Sequence, residues 1–492
     1  MAARRDRPPG PAPLPLIGNL HQLPKNNNVA VYRDWSRIYG SDAIRITVPG
    51  RQMYVLNSKE AMNELLDRRS SVYSSKAPLT MINESGFVNT IPLLPYGPRL
   101  KTCRRLLQKG LGRPAVTSYT PYLNRECAFY LERLLADPEG FVKNFTRTAA
   151  RISLKIAYGY EGVTEDAELL DSAVEAMEVF CITARPGIWL VDFMPFLKHI
   201  PAWFPGAAFK RLAAKWRSTV LYAIEHPFAE VKARVAAGTA GGSFASVLLE
   251  TESLQDPVTE DCIKHSAFGI FAGQFDTTTA AMSWFILAMA MYPEVQKKAQ
   301  MVIDQVVGSE RLPQVEDKDS LPYIVAIMKE VFRWHNIVQL VAHSTSEDNE
   351  YRGFYIPAGT AVLANVWAVT HDETIYPNSS QFIPERHLEE GTLDPTSVIF
   401  GFGRRACPGR DVAQSLLPVL IACTLQNFDI TPARDEHGHE IPLVPEGTPG
   451  VINFPQPFKC TIKPRSGASV ELIRKSVALS ETLPDMLEIF SA

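Results

Sequence analysis

The segment FGFGRRACPGR (400–410) sets one thiol, Cys407, after two glycines and two arginines and directly before Pro408-Gly409. A cysteine is ordinarily a small buried hydrophobe, and a tight, cationic, glycine-rich loop is an odd place for one. Such surroundings favour the thiolate. A second cluster interrupts the longest apolar run, 266–292, where Asp276 is the only charged residue and stands among Gln274, Thr277, Thr278 and Thr279. A third is Glu330 and Arg333, one helical turn apart on one face. Alone, that pair reads as an ordinary surface ion pair.

Phe400, Gly403, Arg405, Cys407 and Gly409 follow the pattern F-x-x-G-x-R-x-C-x-G. This resembles the heme-binding loop of the cytochrome P-450 family, the heme-thiolate monooxygenases. The resemblance runs from PPGPAPLPLIGNL (8–20) to INFPQPFKC (452–460). It implies that Cys407 is the axial ligand of a heme b iron and that Arg405 pairs with a heme carboxylate. It also implies that Phe400 packs on the proximal side of the ring, which the backbone at Gly403 and Gly409 can approach closely. With FIPER (382–386), Glu330, Arg333 and Arg386 resemble the family's buried Glu-Arg-Arg network, a structural support for the heme loop. HIPAWFPGAAFKR (199–211) and YPEVQKKAQ (292–300) look most like microsomal enzymes of fungal secondary metabolism.

The activity so implied is hydroxylation or epoxidation of a hydrophobic small molecule: a terpenoid, an aromatic polyketide or an indole. Oxygen would be activated with electrons from NADPH, delivered by a partner reductase. Asp276-Thr277 matches the family's acid-alcohol pair, which delivers protons; the plain alternative is a Thr277 hydroxyl bonded back to its own helix. Two other readings stay open: a heme-thiolate isomerase, dehydratase or peroxide-using enzyme without oxygen activation, and a non-catalytic heme-binding protein.

Three departures from the family pattern bear on those alternatives. Gln274 replaces a small residue, or else the register slides by one residue and makes a π-bulge. Leu100 stands where a tryptophan usually precedes Arg104, leaving Arg104 as the charged donor to a heme propionate. The segment 333–348 is one residue short before His343, which either reaches a propionate or is an ordinary exposed loop histidine. The substrate pocket is expected from 77–88, Phe271, Gln274, Phe275, Val338 to Ala342, and 447–454 with Val451, a mostly apolar lining.

These residues need a scaffold. The chain has 492 residues, 46% hydrophobic and 21% charged, a globular composition without a convincing linker. A net charge of -3 argues against nucleic acid as a partner. Seven scattered cysteines without a C-x-x-C pair argue against a disulfide framework or a zinc site. The expected fold is mainly α with a small β lobe, a long central helix lying over the buried heme. Run 266–292 is long enough to cross a membrane, but its polar centre favours a buried rod. A hairpin is expected over 43–56, and helices over 57–69, 293–307, 320–335 and 410–428.

The expected organisation is a basic, proline-rich, extended arm (1–20), a catalytic domain (21–465) and a C-terminal tail (466–492). The arm holds five prolines between Pro8 and Pro15 and no segment long enough for a signal or a span. A monomer is expected at the cytosolic face of the endoplasmic reticulum membrane, touching it through the aromatic stretch 189–206. The basic segment 99–109 would attract an acidic reductase surface.

Overall fold

Run 266–292 cannot be amphipathic, so every side of it must meet other chain. In the computed structural model, which describes residues 6–24, 29–160, 167–185 and 188–482, all of it but Tyr292 belongs to a 35-residue helix at the centre of the molecule, Pro257–Met291. Taking helices of ten or more residues in chain order, they are α1 (Ala30–Tyr39), α2 (Pro98–Leu111), α3 (Arg113–Ala136), α4 (Phe141–Tyr158), α5 (Ala167–Thr183), α6 (Ala208–Ala236), α7 (Pro257–Met291), α8 (Pro293–Val306), α9 (Pro322–Trp334), α10 (Arg410–Asn427) and α11 (Gly467–Thr482). The central rod is α7. Pro257 opens it, and the Asp256 carboxylate caps it by accepting the Val258 N–H at 2.9 Å.

Helix α7 lies against α4 along much of its length and also meets α2, α6, α9 and α10. Two of its buried hydroxyls are satisfied within the helix: Thr279 donates to the Phe275 carbonyl at 2.7 Å and Ser283 to the Thr279 carbonyl at 2.8 Å. The helix stays regular throughout, so the register with a π-bulge is not the one adopted. Among the described residues no helix is long and apolar enough to cross a membrane.

The small β lobe holds β1 (Ala43–Val48), β2 (Arg51–Leu56), β3 (Leu340–Ser344), β4 (Asn349–Tyr351), β5 (Phe354–Ile356) and β6 (Ala361–Asn365). Its main sheet has the order β1-β2-β6-β3, with β2 and β6 parallel and the other pairs antiparallel. The pair β7 (Phe428–Pro432) and β8 (Cys460–Pro464) closes the helical body. The architecture is mainly α with small sheets, as expected.

Two terminal segments are more firmly held than expected. The arm is extended, yet it lies along the lobe: Arg45 donates its N–H to the Pro9 carbonyl at 2.8 Å. A side chain at Gly10 would sit 2.0 Å from the Arg45 carbonyl oxygen, so only glycine permits that approach. Beyond 466 the chain forms α11, docked on α3 and α10 with Ile473 buried. Residues 1–5 of the arm and 483–492 of the tail lie outside the described residues.

Candidate active site

A single turn of 3-10 helix, Gly403–Arg405, precedes Cys407, and α10 begins directly after Gly409. Gly403 has φ +49° and lies against the backbone of 66–70, where a Cβ would meet the Leu66 carbonyl oxygen at 2.6 Å. The Cys407 N–H donates to the Phe400 carbonyl at 2.7 Å, which closes the loop on itself. Cys407 has an open surface although protein encloses it. A side chain that is both lines an internal cavity. Burial pushes its thiol up, while the Gly409 N–H, Arg104 and Arg410 pull it down. The expected thiolate donors are therefore in place but do not by themselves outweigh desolvation. A bound cation would.

Arg104, on α2, donates to the Ala406 carbonyl at 2.9 Å, next to the sulfur-bearing residue. Leu100, one turn earlier, is buried in the main core. Phe400 meets Phe332 of α9 edge-on at 5.6 Å. Arg405 donates to the carbonyls of Ser74, Ile91 and Leu94, tying the loop to the segment after β2.

His343 is no exposed loop residue. It sits in β3 fully buried, with Nδ1 on the Tyr73 carbonyl at 2.8 Å, and Nε2 is buried without a partner among the described residues. Burial, Lys76 and Arg405 lower its pKa to about 3. Lys76 donates to the Ala342 carbonyl, and burial together with Arg405 pulls it down to about 7. Three cationic or cationisable groups thus converge, and no carboxylate is among the groups acting on them. A heme fits this constellation: its carboxylates would meet Arg405 and Lys76 and would favour a doubly protonated His343, the only form in which the orphaned Nε2 can donate while Nδ1 serves the Tyr73 carbonyl, and its iron would meet the Cys407 sulfur. Lys76 escapes a reading of the sequence, because a lone lysine before an apolar stretch looks solvated until β3 is folded beside it.

Beneath the loop, Glu330 and Arg333 are fully buried and paired through two bonds of 2.8 Å. Arg386 reaches the same carboxylate at 3.3 Å, and His387 reaches it at 2.8 Å. Burial opposes the Glu330 charge, but His387 and Arg333 outweigh it and hold the carboxyl below its ordinary value. His387 is a fourth member that only its adjacency to Arg386 could have suggested.

On α7, Gly273 is exposed in mid-helix, with open space where a Cβ would be. Asp276 and Thr277 follow at i+3 and i+4, on the same face. Phe271 and Phe275 lie two residues to either side of Gly273, about 200° around the helix. Both are fully buried; Phe271 packs edge-on against Tyr158 of α4 at 6.4 Å and tilted against Phe275 at 5.8 Å. They belong to the core rather than to the open face, which corrects the expected pocket lining. Gln274 is half-buried, and its Nε2 atom is buried without a partner among the described residues.

Thr277 donates its hydroxyl to the Gly273 carbonyl at 2.9 Å, the helix-bonded alternative, and keeps its lone pairs free to accept. Burial, with the Glu178 carboxylate of α5 facing it, raises Asp276 to about 7. Val338 and Val451 are half-buried, and their segments are joined where the Asn453 N–H donates to the Ile337 carbonyl at 2.8 Å. From 77–88, Phe87 meets Phe180 of α5 at 5.5 Å.

A mainly helical body, a central helix opened at a glycine, and a cysteine loop braced by a buried Glu-Arg network define a heme-thiolate oxygenase. Residues 8–462 match the family model for Cytochrome P450. The chain is 40% identical to cytochrome P450 monooxygenase claR of Ampulloclitocybe clavipes over 96% of this chain and 89% of that one. It is 39% identical to a cytochrome P450 monooxygenase of Armillaria gallica over 95% and 93%. With cytochrome P450 monooxygenase COX2 of Coprinopsis cinerea the identity is 38% over 94% and 90%. The chain belongs to the cytochrome P450 family and is a monooxygenase, and that membership implies a heme iron with a thiolate ligand.

Proposed function

We propose that this protein hydroxylates or epoxidises a hydrophobic small molecule in fungal secondary metabolism. The single observation carrying this reading is the cavity-lining Cys407, with the Gly409 N–H and Arg104 acting on its sulfur and Lys76, His343 and Arg405 grouped beside it. When bound, a thiolate-ligated heme supplies oxygen activation, taking electrons from NADPH through a reductase.

The chain's own residues supply the rest. Arg405 and Lys76 would neutralise the carboxylates of the ring, and His343 would donate to one of them from Nε2 when doubly protonated. Arg104 holds the Ala406 carbonyl and so the path of the loop. Gly273 leaves room on the central helix for oxygen and water. Thr277, its proton committed to the Gly273 carbonyl, accepts from a water, and Asp276 holds a proton near neutral pH for delivery.

The exposed apolar groups Leu16, Leu190, Phe196 and Trp203 support contact with the endoplasmic reticulum membrane on its cytosolic face. Heme-loaded protein should give the thiolate-specific long-wavelength band in a carbon monoxide difference spectrum. With reductase and NADPH it should convert lipophilic metabolites. A histidine-type band in the properly assembled protein, or unchanged ligation in Cys407→Ala, refutes the reading.

A further inference from the structure

We propose that Asn453 is a positioning residue for the substrate: it clamps two apolar walls of the pocket, 337–342 and 447–454, to each other and to α7, and so sets how large a molecule fits between them. The inference deepens the proposed monooxygenase reading and rests on it. Three hydrogen bonds meet at this one buried residue. Its N–H donates to the Ile337 carbonyl at 2.8 Å, and its side-chain Nδ2 donates to the Asn336 carbonyl at 3.1 Å. Its own carbonyl accepts from Trp284 Nε1 at 2.8 Å. Each of the three holds main chain, so together they fix the paths of both segments.

The groups that Asn453 joins are themselves anchored. Trp284 lies on the stripe of α7 that carries Gly273 and Thr277, two turns or about 10 Å beyond Thr277. Its indole is stacked on the His335 ring, with 3.7 Å between centres and 4° between planes. Asn336 donates to the Phe332 carbonyl of α9 at 2.7 Å and accepts from the Thr370 hydroxyl at 2.9 Å. From Asn336 the chain runs past half-buried Val338 to Ala342, whose carbonyl Lys76 holds, and on to buried His343. One wall thus reaches from the clamp to the cluster of Lys76, His343 and Arg405. The other is a turn closed at its base, where the Thr448 N–H donates to the Phe454 carbonyl at 2.7 Å, with half-buried Val451 near its tip.

The clamp has no spare room. A Cβ at Gly447 would lie 1.9 Å from the Asn453 Oδ1, so a side chain there would push the amide out of place. A molecule long enough to reach both Val338 and Val451 gains space only by breaking a buried bond of Asn453, and that loss weakens its binding. A smaller molecule never meets the limit.

Heme-loaded protein is titrated with imidazole and with 1-(biphenyl-4-yl)imidazole, reading the shift of the heme absorption. Asn453→Leu keeps the volume but has no side-chain donor. It should tighten the biphenyl probe about fivefold relative to imidazole, whose own affinity should stay within about twofold. Gly447→Ala should move the ratio in the same direction with Asn453 unaltered, and it decides alone if Asn453→Leu does not assemble. Urea denaturation of both variants reads stability separately. A lowered midpoint with an unchanged ratio of affinities, or a ratio moved toward imidazole, overturns the proposal. Both variants are first checked for the thiolate-type carbon monoxide spectrum. Its loss from both would make Asn453 a support of the fold rather than of the pocket, which also overturns the proposal. Its absence from the unaltered protein would refute the heme-thiolate reading itself, a result distinct from a normal spectrum with an unchanged ratio.

Discussion

Arg104 and Ala406 are 302 positions apart in sequence and meet through one hydrogen bond of 2.9 Å, from the guanidinium Nη1 to the carbonyl oxygen. The bond fixes the residue next to Cys407 from outside the loop. It also keeps a partly buried cation acting on the sulfur.

Arg104→Leu should therefore leave the helical body folded but loosen the loop. Part of the carbon monoxide spectrum should move from the thiolate position to the shorter-wavelength one, growing with storage time. Heme content per protein should fall in parallel. Arg104→Lys, which keeps the charge, should lie between the two.

The buried Glu330 carboxylate serves Arg333, Arg386, His387 and the Ile383 N–H at once. Removing one partner leaves uncompensated charge in the core. Glu330→Ala or Arg333→Ala should each cost on the order of 3–5 kcal/mol in urea denaturation and abolish heme retention. Arg333→Lys should rescue little, because the lysine cannot make the paired bonds to Glu330. Since the Glu330 carboxyl is held below its ordinary value, its contribution is present above the unfolded glutamate range and is lost as pH falls through the folded value.

Asp276 titrates the other way. Burial first, then Glu178, raise it to about 7, so the folded protein favours its protonated form. Its charge destabilises the fold at alkaline pH. Asp276→Asn should be more stable than the unaltered protein at pH values above about 7. The advantage should shrink as pH falls toward the ordinary aspartate range. In the same variant coupled product formation should drop steeply while heme binding stays intact, and hydrogen peroxide release per NADPH consumed should rise. Parallel pH-stability curves for the two proteins would contradict the assignment.

What the sequence discloses follows from how local each signal is. Hairpin β1-β2 and helix α7 are written in contiguous patterns, a Pro-Gly turn between β-branched runs and an uninterrupted apolar stretch. The cysteine loop is equally local, since its turn takes Gly403 to φ +49°, a conformation that favours glycine. Which face of α7 opens is not local. Phe271 and Phe275 read as pocket aromatics until α4 places Tyr158 against Phe271. His343 looks like loop because its segment lacks a clear alternation, and pairing with β6 buries it. Lys76 becomes a cavity residue only through β3, far along the chain.

The basic segment on α2 also changes meaning once folded. Arg105 and Lys109 both bind Glu252, at 2.9 and 2.5 Å, so their charge is partly spent within the chain. Lys101 lies over the Tyr96 ring, 5.3 Å from its centre, and among the described residues no carboxylate pairs with it. For an acidic reductase surface, Lys101 is then the stronger attractor. Lys101→Glu should slow the first electron transfer several-fold at low ionic strength and progressively less as salt is added. Glu252→Gln should act in the opposite sense, freeing Arg105 and Lys109 to attract the partner, so that electron transfer quickens at low salt and its salt dependence steepens. Stopped-flow reduction of the heme under carbon monoxide, followed across a salt series with each variant, reads both effects. If Glu252→Gln leaves the salt slope unchanged, α2 is not the face that meets the reductase.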